Sequence, residues 1–221
     1  MEWAEHLASH GYVVVGIDHT DGSMVAYPDG TYLFTDFSDL VGRGLDAQLI
    51  QDRVRDFAVV LEVLEGWNQN DSLFAGKLDV QNVAVLGYSL GGAAAGEFCR
   101  LDPRCVAAVA LDPGGFNATP TLNTLGLQKP SLTMHRPDLT DDILFSKATT
   151  NAYWFQVRCI DHGSFGTWYW AVTATDLPAA RETARTITDW NLWFLNKYLK
   201  GSADPMPQTA AYPQIFNFKQ K

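Results

Sequence analysis

The sequence predicts an α/β fold: a doubly wound, mostly parallel sheet with helices on both faces, in one domain spanning 1–221. Three observations predict it. Short apolar runs alternate with segments of helical period along the whole chain, the pattern of a parallel sheet covered on both sides. One such run leads through Gly87-Tyr88-Ser89-Leu90-Gly91 into a helix of small residues. The 221 residues, 47% of them hydrophobic, suffice for one sizeable core and leave no room for two ordinary domains.

In chain order, a helix carrying Trp3 and Leu7 is stopped by Gly11, and Tyr12-Val13-Val14-Val15-Gly16-Ile17 follows as a buried-strand pattern. This opening reads as an entry in mid-fold, with the front strands expected upstream of Met1. After the polar loop Asp18 to Ser23, Met24–Tyr27 and Thr31–Phe34 flank Pro28-Asp29-Gly30 as a hairpin. Ile50, Val54, Phe57, Leu61 and Leu64 recur at steps of four and three, a helical apolar stripe that Gly66 is expected to end. Val80–Leu86 reads as a strand, Leu90–Leu101 as a helix and Val106–Leu111 as the next strand. The stretch from Asp112 to Lys129 is rich in Gly, Asn, Thr and Pro and reads as a loop suited to covering a site. Strands at Ser131–Met134 and Tyr153–Ile160 enclose a helix near Asp138–Lys147. The final helix places Ala180, Ala184, Ile187, Trp190 and Phe194 on one face, and the prolines from Pro205 onward mark 201–221 as an irregular tail.

Composition excludes several function classes. The formal charge of −9 and a pI near 4.9 repel a polyphosphate backbone, so nucleic acid is not an expected partner. No stretch approaches the roughly 18 consecutive apolar residues of a transmembrane helix, which leaves peripheral lipid contact as the only expected membrane role. The first residues, Met1-Glu2-Trp3-Ala4-Glu5-His6, are not the basic and then apolar opening of a signal peptide. Of the three cysteines, Cys99 and Cys105 are spaced for a small disulfide loop or stand as buried thiols. No Cys-x-x-Cys or His-x-x-x-His pair suggests a metal, and no cofactor is expected.

The chemistry centres on Ser89. Gly-x-Ser-x-Gly on a sharp strand-to-helix turn exposes the hydroxyl, and small neighbours let helix and strand pass closely. The helix N-terminus favours negative charge beside it. A serine needs a base, and the base needs an orienting acid. His6, His10 and His19 read as surface or loop residues, and His135 follows the strand Ser131–Met134. His162 follows the last sheet strand, where sites of doubly wound folds lie, and is the candidate base. Asp112, at the end of Val106–Leu111, is favoured over Asp138 as the acid. Asp138 is also placed to cap the next helix, and Asp161 reads as solvated. The Leu90 N–H is the nameable oxyanion donor. Tyr88, Phe116, Phe165 and Trp168 are the candidate substrate-binding side chains, with Phe165 nearest the base on the acyl side.

Leu7-Ala8-Ser9-His10-Gly11-Tyr12-Val13-Val14, His19-Thr20-Asp21-Gly22-Ser23, the elbow from Gly87 to Gly92, Leu111-Asp112 and His162-Gly163-Ser164-Phe165 together resemble the platelet-activating-factor acetylhydrolase family of α/β-hydrolases, its bacterial secreted members most. The resemblance implies Ser89 as nucleophile, Asp112 as acid and His162 as base. It further implies paired Cys99 and Cys105, a secreted or periplasmic location, and a second oxyanion donor from a loop upstream of Met1. Tyr88 and Leu90, where the family often has His and Phe, bring the elbow closer to general lipases and polyester hydrolases. The expected activity is hydrolysis of short to medium acyl esters, small-molecule or lipid, through an acyl-enzyme. A cutinase-like polyester hydrolase and a non-catalytic binding or scaffold domain are the alternatives, and the oligomeric state is open.

Overall fold

Apolar residues on both faces of four consecutive strands dictate a sheet buried on two sides, and the computed structural model has that sheet. It describes residues 2–20, 24–34, 36, 42, 46–113, 120–139, 143–158, 161–166 and 177–221. The elements are α1 (Glu2–Ser9), β1 (Met24–Ala26), β2 (Tyr32–Phe34), α2 (Asp46–Asn70), β3 (Val83–Tyr88), α3 (Leu90–Leu101), β4 (Cys105–Leu111), α4 (Pro120–Leu125), β5 (Ser131–His135), α5 (Ile143–Ser146), β6 (Ala152–Val157), a 3₁₀ turn (His162–Phe165), α6 (Leu177–Leu199), a second 3₁₀ turn (Thr209–Ala211) and β7 (Ile215–Gln220). The main sheet has the order β3-β4-β5-β6-β7. Its first four strands are parallel and β7 runs antiparallel to β6. The α/β class is therefore as expected.

Alternation along β4 divides the interior into two cores. Ala108 and Ala110 face Leu49, Ile50 and Val54 of α2 and Ala94, Phe98 and Cys99 of α3. Ala107, Val109 and Leu111 face the other way, toward Trp190 and Phe194 of α6 and Leu7 of α1. The alanines let helices approach the sheet closely, while Trp154, Trp190, Phe98, Phe155 and Phe194, each under 2% exposed, fill the wider spaces. Cys99 and Cys105 form a disulfide joining the end of α3 to the start of β4.

Several expectations are corrected. Tyr12–Ile17 is irregular chain rather than a buried strand, with Val13 60%, Val14 37% and Val15 45% exposed. A strand needs a neighbour for its N–H and C=O groups, and no described strand runs beside this one. Its start is instead tied to α6, where the Tyr12 hydroxyl donates to Asn196 Oδ1 at 2.8 Å. Helix α2 continues past Gly66 to Asn70; one exposed helical glycine costs only about 1 kcal/mol. The loop after Asp112 contains α4, opened by Pro120 and stopped at Gly126, whose φ is +67°. The tail is not irregular throughout, because β7 completes the sheet and packs Phe218 against Trp190 at 5.5 Å. The hairpin, α3 and α6 lie where expected.

Candidate active site

Four segments place side chains at the carboxyl ends of β3, β4, β5 and β6, the edge at which parallel strands leave a crevice. The elbow follows from glycine. A Cβ on Gly87 would stand 2.0 Å from the Gly91 carbonyl oxygen, and one on Gly92 3.1 Å from that of Gly87, so only bare backbone lets α3 fold back over β3. The turn holds Ser89 at φ 56° and ψ −126°, a conformation that costs a non-glycine residue about 1–3 kcal/mol. The Ser89 N–H donates to Leu111 O at 2.9 Å, and its carbonyl accepts from the Gly92 N–H, so the strained residue is pinned from two sides. Leu90 opens α3, and the first N–H groups of a helix lack intrahelical acceptors.

Asp112 sits one residue beyond β4, also at positive φ (43°) and fully buried, with its N–H donating to Met134 O at 2.7 Å. His162 comes from the 3₁₀ turn after β6 and remains 37% exposed. That turn is capped by Asp161, whose carboxylate accepts from the Ser164 N–H and hydroxyl. Asp161 is therefore exposed but not merely solvated. The three residues meet: His162 Nδ1 lies 2.5 Å from Asp112 Oδ2, and His162 Nε2 lies 2.9 Å from Ser89 Oγ. An imidazole with its proton on Nδ1 donates to the carboxylate and accepts from the serine hydroxyl.

The electrostatics favour a carboxylate at Asp112. Burial pushes its pKa up, but contacts with His135 and His162, the Arg136 N–H at 3.2 Å and the charge of His162 outweigh burial and hold the carboxyl well below the usual range. Tyr88 lies with its ring 4.9 Å from that of His162. Burial, then the negative charges of Asp112 and Asp161, pushes its phenol up to about 12, so it stays neutral.

Of the other candidates, Asp138 does not reach the site. It is 72% exposed and accepts from Arg136 Nε at 2.8 Å. Phe165 is 2% exposed within the core beside α1 and α6, so it supports the turn bearing His162 rather than lining an open cleft. Phe116 and Trp168 lie outside the described residues. His19 is not a plain surface residue, since its Nδ1 lies 2.6 Å from Asp56 Oδ2 on α2. The residues that sequence reasoning missed are His135 and Arg136. The carboxylate lies 3.4 Å from His135 Nδ1 and 3.5 Å from Arg136 Nη1. The available signal was a histidine standing directly after the run Ser131–Met134 that reads as a strand. Among the described residues, no cluster of His, Cys, Asp or Glu is arranged to hold a metal ion, and no helix is long and apolar enough to cross a membrane.

No family model and no curated relative matches the chain. Among solved structures it is similar to the ferulic acid esterase from Streptomyces cinnamoneus, with a TM-score of 0.81 and 25% sequence identity, over 97% of this chain and 68% of that one. The likeness supports an α/β esterase fold and, in general terms, ester hydrolase activity.

Proposed function

We propose that the chain is a serine carboxylic-ester hydrolase that works through an acyl-enzyme on short to medium acyl esters. The observation that carries this reading is the continuous hydrogen-bonded line from buried Asp112 through His162 to a serine on a strained elbow. In the proposed reaction Ser89 Oγ attacks the ester carbonyl carbon as His162 Nε2 takes the hydroxyl proton, and Asp112 stabilises the resulting imidazolium. The carbonyl oxygen, now anionic, is met by the Leu90 N–H at the start of α3. Collapse of the tetrahedral intermediate breaks the C–O bond to the leaving alkoxide, which receives the proton from His162. Water, deprotonated by the same nitrogen, then attacks the acyl-serine and releases the acid.

The ferulic acid esterase likeness extends the proposed substrates to aromatic acyl esters, and the neutral ring of Tyr88 beside His162 is a surface such an acyl group can meet. The resemblance to platelet-activating-factor acetylhydrolases favours small neutral or zwitterionic esters, as does the net charge of −9. The disulfide supports a secreted or periplasmic location.

Two measurements test the reading. An organophosphonate ester should phosphonylate Ser89 with loss of its leaving group, adding the mass of the reagent less that leaving group and one proton to the peptide containing Ser89. Initial rates on p-nitrophenyl esters from acetate to palmitate, with methyl ferulate alongside, should be highest for short and medium chains. A folded protein that takes no adduct supports a binding domain instead, and a strict requirement for long chains removes the substrate class.

A further inference from the structure

We infer that His135 is a positioning residue for the ester hydrolysis proposed above: it holds the second oxygen of Asp112 from behind, so that the carboxylate is fixed between two imidazoles. The inference rests on that reading of Ser89, His162 and Asp112.

His135 is a costly choice for its place. It closes β5, a strand buried along its whole length, and is itself 1% exposed with its ring 5.8 Å from that of Trp154. An imidazole taken out of water must be compensated by a polar partner, whereas Leu or Phe of similar size would fill the position without that requirement. The end of β5 is tied to the acid, since Met134 O accepts the Asp112 N–H at 2.7 Å. The next side chain along, His135, therefore arrives beside the Asp112 carboxyl.

The two oxygens of that carboxyl divide the surrounding groups. Oδ2 faces His162 Nδ1 at 2.5 Å and Arg136 Nη1 at 3.5 Å. Oδ1 faces His135 Nδ1 at 3.4 Å and accepts from the Arg136 N–H at 3.2 Å. Among the described residues, the other charged or titratable groups nearby are Tyr88 on β3, Asp161 beside His162, and Asp138, which draws the Arg136 guanidinium outward through Nε. The short contact thus goes to the exposed imidazole and the long one to the buried imidazole. With its proton on Nδ1, a neutral His135 turns that N–H toward Oδ1 across 3.4 Å, a contact that neither shifts with solvent nor competes for the Oδ2 lone pair. It keeps Oδ2 aimed at His162 and moderates how strongly the carboxylate stabilises the imidazolium.

This division has a sign. Without the His135 donor, Asp112 becomes a stronger acceptor toward His162 and favours its protonated form. His135→Phe and His135→Leu should then move the acid limb of kcat/KM upward by roughly half a pH unit or more. They should also lower kcat about tenfold, with little change in KM, as Oδ2 loses its aim. His135→Asn, whose amide N–H stands near the place of Nδ1, should bring the limb back to the wild-type position. The experiment is the pH profile on p-nitrophenyl butyrate, paired with the titration of His162 followed by NMR on protein containing ¹⁵N-labelled histidine. A limb and a His162 titration unmoved in the Phe and Leu variants would reduce His135 to a packing residue and overturn the inference. If neither variant folds, the wild-type spectrum decides: a proton on Nδ1 of His135 upholds the role, and a proton on Nε2 alone removes it. If the wild type neither hydrolyses esters nor takes the phosphonate, the esterase reading fails, while the His162 titration still reports whether His135 acts on the Asp112–His162 pair.

Discussion

The two ends of β4 carry two carboxylates held in opposite ways. At the amino end, Asp102 binds the Arg104 guanidinium through 2.6 and 2.9 Å contacts, Arg104 also reaches Glu65 at 2.6 Å, and the Cys99–Cys105 disulfide closes the turn. At the carboxyl end, Asp112 is more deeply buried and held mainly by imidazoles and a backbone N–H, with a guanidinium only at 3.5 Å. Both carboxyls are held below their ordinary range. A guanidinium never gives up its proton, so the first arrangement can only fasten the chain. An imidazole changes charge near neutrality, so the second can move a proton. The strand separates fastening from chemistry by its own length.

The sharpest way to break the comparison is at the carboxyl end. Asp112→Asn should lower kcat about 10⁴-fold, because the wrong imidazole tautomer is favoured. It should leave the fold in place, since Asn tolerates the positive φ that Asp112 adopts. Asp138→Asn, measured in the same esterase assay, should change turnover by less than about twofold, as expected for an exposed pair. Gly87→Ala tests the elbow between the two ends. Its methyl group would meet the Gly91 carbonyl at 2.0 Å, and urea unfolding should show a loss of at least about 3 kcal/mol. At the amino end, Cys99→Ala with Cys105→Ala should cost about 2–4 kcal/mol in the same measurement, while kcat at 25 °C stays near wild type.

The smallest effect is in acid. The Asp112 pKa is lower folded than unfolded, so its contribution to stability is complete above the unfolded value of about 4 and is lost as pH falls through the folded one. The stability difference between wild type and Asp112→Asn should therefore shrink as unfolding is measured from pH 5 downward. A difference that widens would mean that the carboxylate is not the favoured form in the folded protein.

The parts of this arrangement that were legible in the sequence are those set by local chemistry. Gly87, Gly91 and Gly92 around Ser89 define the elbow because only glycine permits that backbone approach, and helix α3 runs over the expected residues. Asp112 and His162 could be chosen because strand ends are marked by where apolar runs stop. What escaped depends on partners distant in the chain. The apolar run from Tyr12 to Ile17 has strand composition, but pairing decides whether a strand forms, and composition does not report pairing. Strand β7 was hidden for the converse reason, since prolines before it suggested an irregular tail while β6 supplied the ladder. His135 was given no role beyond following the strand Ser131–Met134, because its value lies in its distance to Asp112, 23 positions earlier in the sequence.

Strand β7 also bears on how the molecule can be handled. Lys221 exchanges backbone hydrogen bonds with Ala152 in both directions, at 2.9 and 3.3 Å, and its ammonium group donates to Ser146 O. A dye or affinity handle fused directly after this residue would begin inside a hydrogen-bonded ladder, whereas a short flexible spacer would leave the ladder intact. The same closeness makes the position a useful reporter. Strand β6 ends at Val157, five residues before His162. Lys221 pairs with Ala152, at the opposite end of β6 from Val157, so a fluorophore carried on such a spacer would report fraying at the amino end of β6 and not at the end that leads to His162.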